Sequence, residues 1–145
     1  MGRDLREAPQ RLAHRLHREG RDVTLIAWSA AAELARQVAV DAAANGVSVE
    51  VLDVRTLVPL DQETLRASVR KTGRCVVLQE ASQTGGFAAE VIATVQEDPD
   101  TFFSLKAPIA RVCGADSPYP VQMLEEGYLL NGTRALAAIM RTVES

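Results

Sequence analysis

Residues 75–96 read CVVLQEASQTGGFAAEVIATVQ: an apolar run from Cys75 to Leu78, a polar turn holding two adjacent glycines, then Phe87, Val91, Ile92 and Val95 at helical spacing. A strand that passes through a tight turn into a helix is the repeating unit of an α/β sheet. Two glycines at a helix start have two physical readings. They expose backbone amides, the basis of anion binding at such places, or they permit positive φ and close approach of another backbone. Neither the six-residue glycine fingerprint nor the Gly-Lys-Ser/Thr loop is present. No lysine is therefore placed to neutralise a phosphate, and the pattern favours the second reading.

The same unit repeats on either side. Val23 to Trp28 forms a short apolar run, and Ser29 is suited to cap an Ala-rich helix that runs to Ala44 and stops at Asn45-Gly46. Val47, Val49 and Val51 then alternate with Ser48 and Glu50 before Leu52 and Val54 fill in, as in a strand that enters a covered sheet from an exposed end. Pro59-Leu60-Asp61 breaks the chain, and Asp61 caps a predicted helix over Gln62 to Lys71 with Arg70 and Lys71 at its negative end and Gly73 beyond it. Downstream come a strand at Ile109 to Cys113, an irregular loop at Asp116-Ser-Pro-Tyr-Pro, and a helix from Thr133 to Val143 with Leu136, Ile139, Met140 and Val143 on one face. Strand-helix alternation with apolar strands predicts an α/β sandwich around a largely parallel sheet.

A length of 145 residues suits one domain, expected over residues 10–145 after a short segment, 1–9, whose pattern is not readable. Apolar residues make up 47% and charged residues 24%, as in soluble globular proteins, and a net charge of −3 gives no reason to expect nucleic acid or a membrane as partner. The uncharged run Val23 to Ala32 is too short for a bilayer, no signal-like segment opens the sequence, and the expectation is a cytoplasmic protein whose Cys75 and Cys113 remain thiols.

His14 and His17 would share one face of a helix but point to opposite sides of a strand, and no further ligand is evident, so no metal site is expected. Asp53 and Arg55 fall on one side of a strand and are expected to pair, although Arg55 also suits a substrate carboxylate. Gln79 and Glu80 end a strand, where α/β sheets place ligands. Glutamine exchanges no protons near neutral pH, and Glu80 has no visible partner, so neither reads as catalytic. Asp116 and Tyr119, beside two prolines, suit either a recognition surface or a rigid loop.

Five segments together carry a resemblance: Asp22-Val-Thr-Leu-Ile-Ala-Trp-Ser29, Val49-Glu-Val-Leu-Asp-Val-Arg-Thr-Leu-Val-Pro-Leu-Asp61, Val69-Arg-Lys-Thr-Gly-Arg74, Glu80-Ala-Ser-Gln-Thr-Gly-Gly-Phe-Ala-Ala-Glu90 and Arg111-Val-Cys-Gly-Ala-Asp-Ser-Pro-Tyr-Pro120. In this order they resemble the C-terminal domain of the E1 β subunit of thiamin-diphosphate-dependent 2-oxo acid dehydrogenases, from about residue 10 to the end. The resemblance implies a three-layer α/β/α sandwich with a five-stranded, mostly parallel sheet, its one antiparallel strand near Leu12 to His17. It also implies that the chain alone holds no catalytic, cofactor or metal residue. Thiamin diphosphate and magnesium would be bound in the complete enzyme by the α subunit and the pyrimidine-binding domain, and this chain would be a fragment or a separately encoded half.

The expected partners are then the E1 α subunit, the pyrimidine-binding domain, a second β-type subunit and the peripheral subunit-binding domain of the acyltransferase (E2) core. Glu80, Thr84, Gly85, Gly86, Phe87 and Glu90 are the expected subunit-interface residues, with Phe87 as apolar anchor, and Asp116 and Tyr119 the candidates for partner docking. A free-standing non-catalytic interaction module, and a domain of a transketolase or deoxyxylulose-phosphate-synthase relative, are the competing readings. Relatives usually carry His or another polar residue where Gln79 stands, and Pro where Leu130 stands.

Overall fold

The structure is a computed structural model that describes residues 14–118 and 128–145. Its strands are β1 His14–Arg18, β2 Val23–Ala27, β3 Val49–Val54, β4 Cys75–Ser82 and β5 Ala110–Gly114. Its helices are α1 Ala30–Ala44, α2 Gln62–Thr72, α3 Ala88–Gln96, α4 Pro99–Ser104 and α5 Gly132–Glu144. The strands form one sheet in the order β1-β3-β2-β4-β5, parallel throughout except for the antiparallel pairing of β1 with β3. The odd strand is the predicted one, shifted to His14–Arg18, while Leu12 lies outside the described residues.

The central strand β2 is buried along its whole length because a helical layer covers each face. Val23, Leu25 and Ala27 join Val49 and Val51 under α1 and α5. Ile26 joins Leu52, Val54 and Val77 under α2 and α3. This alternation makes the three-layer sandwich. Local sequence sets the helix ends: Asp61 accepts a hydrogen bond from the Thr64 amide at 3.1 Å, and Asn131 does the same for Arg134 at 2.9 Å. Gly73 closes α2 in the left-handed region at φ 71°.

Four expectations are corrected. Ser29 is the N-cap residue of α1, yet its side chain caps nothing, because the sharp passage from β2 into the helix puts it at φ 55°, ψ −139°. Position 50 lies not on the exposed entry to a strand but inside it: Glu50 is 3% exposed. Its carboxylate accepts from the Gly20 amide at 3.2 Å and the Ser68 hydroxyl at 2.6 Å, and it pairs with Lys71. Those donors make burial tolerable, and the hydrogen bond to Glu50 holds the Lys71 ammonium above its usual range. Strand β4 runs on past Leu78 to Ser82, because after a register shift Ser82 pairs with Gly114. Helix α4 was not predicted. Its signals are local, with Asp98 capping the Thr101 amide at 3.0 Å and Pro99 in the first turn, but Phe102 and Phe103 face outward and break any apolar periodicity.

The burial of Glu50 gives a direct test. Glu50→Ala strands the Gly20 amide and leaves the Ser68 hydroxyl only Thr24 as partner, and should cost about 2 kcal/mol by the penalty for an unsatisfied buried donor. Lys71→Ala should cost much less, since that side chain is 47% exposed. Urea unfolding of the two variants measures the difference.

Candidate interface site

The glycine turn sits at the carboxyl ends of the strands, between β4 and α3, and one buried side chain holds it. Gln79 is 1% exposed. Its Oε1 accepts from the Ala88 amide at 2.7 Å, and its Nε2 donates to the carbonyls of Ser82 at 2.8 Å and Ala81 at 3.2 Å. The two glycines serve different needs. Gly85 has φ 71° and open space where a Cβ would stand, so its requirement is conformational. Gly86 has no unusual φ, but a Cβ there would overlap the Gln79 amide and lie 2.5 Å from the Ser82 carbonyl, so its requirement is room.

Three amides at the turn are already engaged. Thr84 donates its amide to Asp116 Oδ1 at 2.9 Å and its hydroxyl to Oδ2 at 2.6 Å, the Ala88 amide goes to Gln79, and the Ala89 amide to the Gly86 carbonyl at 3.1 Å. A phosphate at the Thr84 amide would have to displace an internal carboxylate. The geometry therefore gives the two glycines to backbone shape and close approach.

Around the turn the surface is apolar. Leu57, Val58 and Leu60, from the loop after β3, face Gly85, Phe87 and Ala89 across a groove of about 650 Å³ that Glu90 borders. Val58 is 87% exposed. Phe87 is half-buried and meets Trp28 edge-on, with ring centroids 5.8 Å apart and planes at 89°, a favourable aromatic geometry. Thr84, Gly85, Phe87 and Glu90 thus share one region. Glu80 is exposed near the end of β4, before the turn, and does not line the groove. The Leu57-Val58 wall was missed as part of the site, although Leu-Val-Pro-Leu, an apolar run after a strand with no helical period, was its signal.

The other singled-out residues fall elsewhere. Asp116 is exposed, but both its oxygens are held by Thr84, whose hydroxyl and then amide keep the carboxyl below its usual range. Tyr119 lies outside the described residues. Arg55 Nε meets Asp53 Oδ2 at 2.6 Å, as expected, and His17 Nε2 is hydrogen-bonded to the same oxygen at 3.0 Å. His14 goes to Asp61, at 2.6 Å, on the other face of β1. Cys75 and Cys113 are free and buried, and burial pushes the Cys75 thiol up to about 12. Among the described residues no helix is long and apolar enough to cross a membrane.

Comparison with known proteins gives a consistent picture. The family described as "Transketolase, C-terminal domain" matches residues 13–134. The chain is 44% identical over 126 residues to the 2-oxoisovalerate dehydrogenase subunit beta 2, mitochondrial, of Arabidopsis thaliana, covering 87% of this chain and 34% of that one. It is 42% identical over 131 residues to the pyruvate dehydrogenase E1 component subunit beta of Leifsonia xyli subsp. xyli, covering 90% and 38%. It thus spans little more than a third of these relatives. Among solved structures, a split-gene transketolase in an inactive β4 tetramer superposes with TM-score 0.77 at 28% identity, covering 90% of this chain and 41% of that one.

Two outcomes check the turn. Gly85→Ala should cost about 1 kcal/mol, the penalty for a left-handed non-glycine residue. Gly86→Ala should cost more, up to about 3 kcal/mol, as an overpacked site does, and thermal unfolding should rank them so. Acid gives the second. The folded Asp116 carboxyl titrates below its ordinary value of 3.8, so its contribution is full above that pH and is lost as pH falls through the lower folded value. The Thr84 amide should therefore lose protection from hydrogen exchange below, and not above, pH 3.8.

Proposed function

We propose, since the chain belongs to the transketolase C-terminal domain family, that it is the assembly domain of an E1 β-type subunit in a thiamin-diphosphate-dependent 2-oxo acid dehydrogenase. The observation that carries this is the glycine turn itself: Gln79 and Asp116 hold it from within, while Val58 and Phe87 present an apolar groove at the strand ends. Such a surface buries area against another protein.

In this proposal residues 10–145 form the domain. Glu80, Thr84, Gly85, Gly86, Phe87 and Glu90 meet a neighbouring subunit, with Val58 and Phe87 as anchors. Oxidative decarboxylation requires the E1 α subunit and the pyrimidine-binding domain, because the cofactor must be clamped between domains that ionise one end and neutralise the other. Thiamin diphosphate and magnesium are held there and not by this chain. A second β-type subunit is the partner for the groove, and Asp116 and Tyr119 are offered to the peripheral domain of the acyltransferase core. The Thr84 contacts of Asp116 also give that residue a role within the fold, so docking there engages a carboxylate already fixed in place. A cytoplasmic setting accords with the two free thiols.

A second reading, the free-standing module that associates without catalysis, is favoured by one observation: the split-gene transketolase that superposes on this chain was solved as an inactive β4 tetramer. The two readings agree on the surface and differ in chemistry. Phe87→Asp should shift the chain toward monomer in analytical ultracentrifugation without unfolding it, and a strict monomer indifferent to that change would contradict both. Calorimetric titration of the chain with thiamin diphosphate should give no heat of tight binding. Reconstitution with an α subunit and a pyrimidine-binding domain should restore decarboxylation under the first reading alone.

A further inference from the structure

A second cleft, of about 610 Å³, opens at the carboxyl ends of β2 and β3 and is lined by Arg15, His17, Trp28, Arg36, Asp53 and Arg55, among others. After Ala27 the chain enters α1 in one layer, and after Val54 it goes on to α2 in the other. Strand ends whose connections diverge in this way leave the crevice in which open α/β sheets bind ligands.

The charges of the cleft do not balance. Asp53 is 7% exposed and turned inward, its Oδ2 shared by Arg55 Nε at 2.6 Å and His17 Nε2 at 3.0 Å, which leaves the terminal nitrogens of Arg55 without a hydrogen bond among the described residues. Arg36 pairs with Glu33 one turn earlier, but both are exposed, at 47% and 73%, and such a pair is weak. Arg15 is exposed and has no ion pair among the described residues. Three guanidiniums therefore meet two carboxylates, one of them inward and one loosely held. The first turn of α1 adds positive potential, because Ser29 leaves it without a side-chain cap. On one wall stands Trp28, half-buried, with Ala32 beside it.

We propose that this cleft binds a small organic anion, its phosphate or carboxylate group held by Arg15, Arg36 and Arg55 and its body resting on Trp28. Planar guanidiniums suit both groups through paired N–H donors, and the volume is that of a small-molecule site. Glu33 competes with the ligand for Arg36. The cleft shares no lining residue with the groove beside Phe87, which it meets only at the Trp28–Phe87 contact among the described residues.

Trp28 is the chain's one tryptophan, so its fluorescence reports on the cleft. The 145-residue chain is titrated with inorganic phosphate, with malonate, and with chloride at matched ionic strength. A saturable change with phosphate or malonate, absent with chloride, is expected. Phosphate alone assigns a phosphate-bearing ligand, and malonate alone a dicarboxylate. Arg15→Gln, which breaks no hydrogen bond or ion pair among the described residues, should weaken binding about fivefold or more with an unchanged melting temperature, as loss of a charge-assisted contact does. Glu33→Gln should tighten it. A response that does not saturate, that chloride reproduces, or that keeps its Kd in Arg15→Gln would overturn the proposal.

Discussion

Where β4 gives way to α3, the side-chain amide of Gln79 stands in a space from which water is excluded, with one acceptor and two donors to satisfy. The chain supplies their complements: one amide from the start of α3 and two carbonyls from the end of β4. A carboxylate offers no donor and a neutral imidazole only one, so neither could make all three bonds. Gln79 therefore holds its position as a neutral bracket that fixes where the turn lies, where α3 begins and which way Phe87 points. Gly86 follows from it, since only a residue without a side chain leaves room for that amide.

The same end of the sheet is divided chemically in two. Trp28 and Phe87 touch at the division. On one side the loop after β3 and the glycine turn form an apolar wall, and on the other α1 and the β3–β1 edge gather arginines around an inward carboxylate. The division follows from strand order. β2 lies between β3 and β4 and, alone of these three, sends its chain into the α1 layer, so a crevice opens on one side of it and aromatic contact closes the other.

Much of this was legible in the residues. The five covered elements with strong local signals, β2, α1, α2, β4 and α5, followed from apolar periodicity and from Asp61, Gly73 and Asn45-Gly46. The antiparallel strand followed from the resemblance, because HRLHR carries a basic side chain type, His or Arg, at four of its five positions and has no readable face. What escaped were features made by distant residues. Glu50 reads as exposed until Gly20, Ser68 and Lys71 arrive around it, and Ser29 reads as a cap until the strand-to-helix passage fixes its backbone. At the site, the glycine turn announced a special backbone but not which glycine needed conformation and which needed space. The groove's second wall comes from a loop about thirty residues earlier in the chain, which no local pattern joins to the turn.

The composition of β1 bears on how such a domain can associate. Exposed backbone along the side of a sheet invites another strand to add on, and sheets that remain discrete guard their margins. One margin here is an arginine-bearing strand of five residues, its register displaced between Leu16 and Arg18 and its two imidazoles tied to acids on opposite faces. Addition of a further strand along β1 is therefore disfavoured.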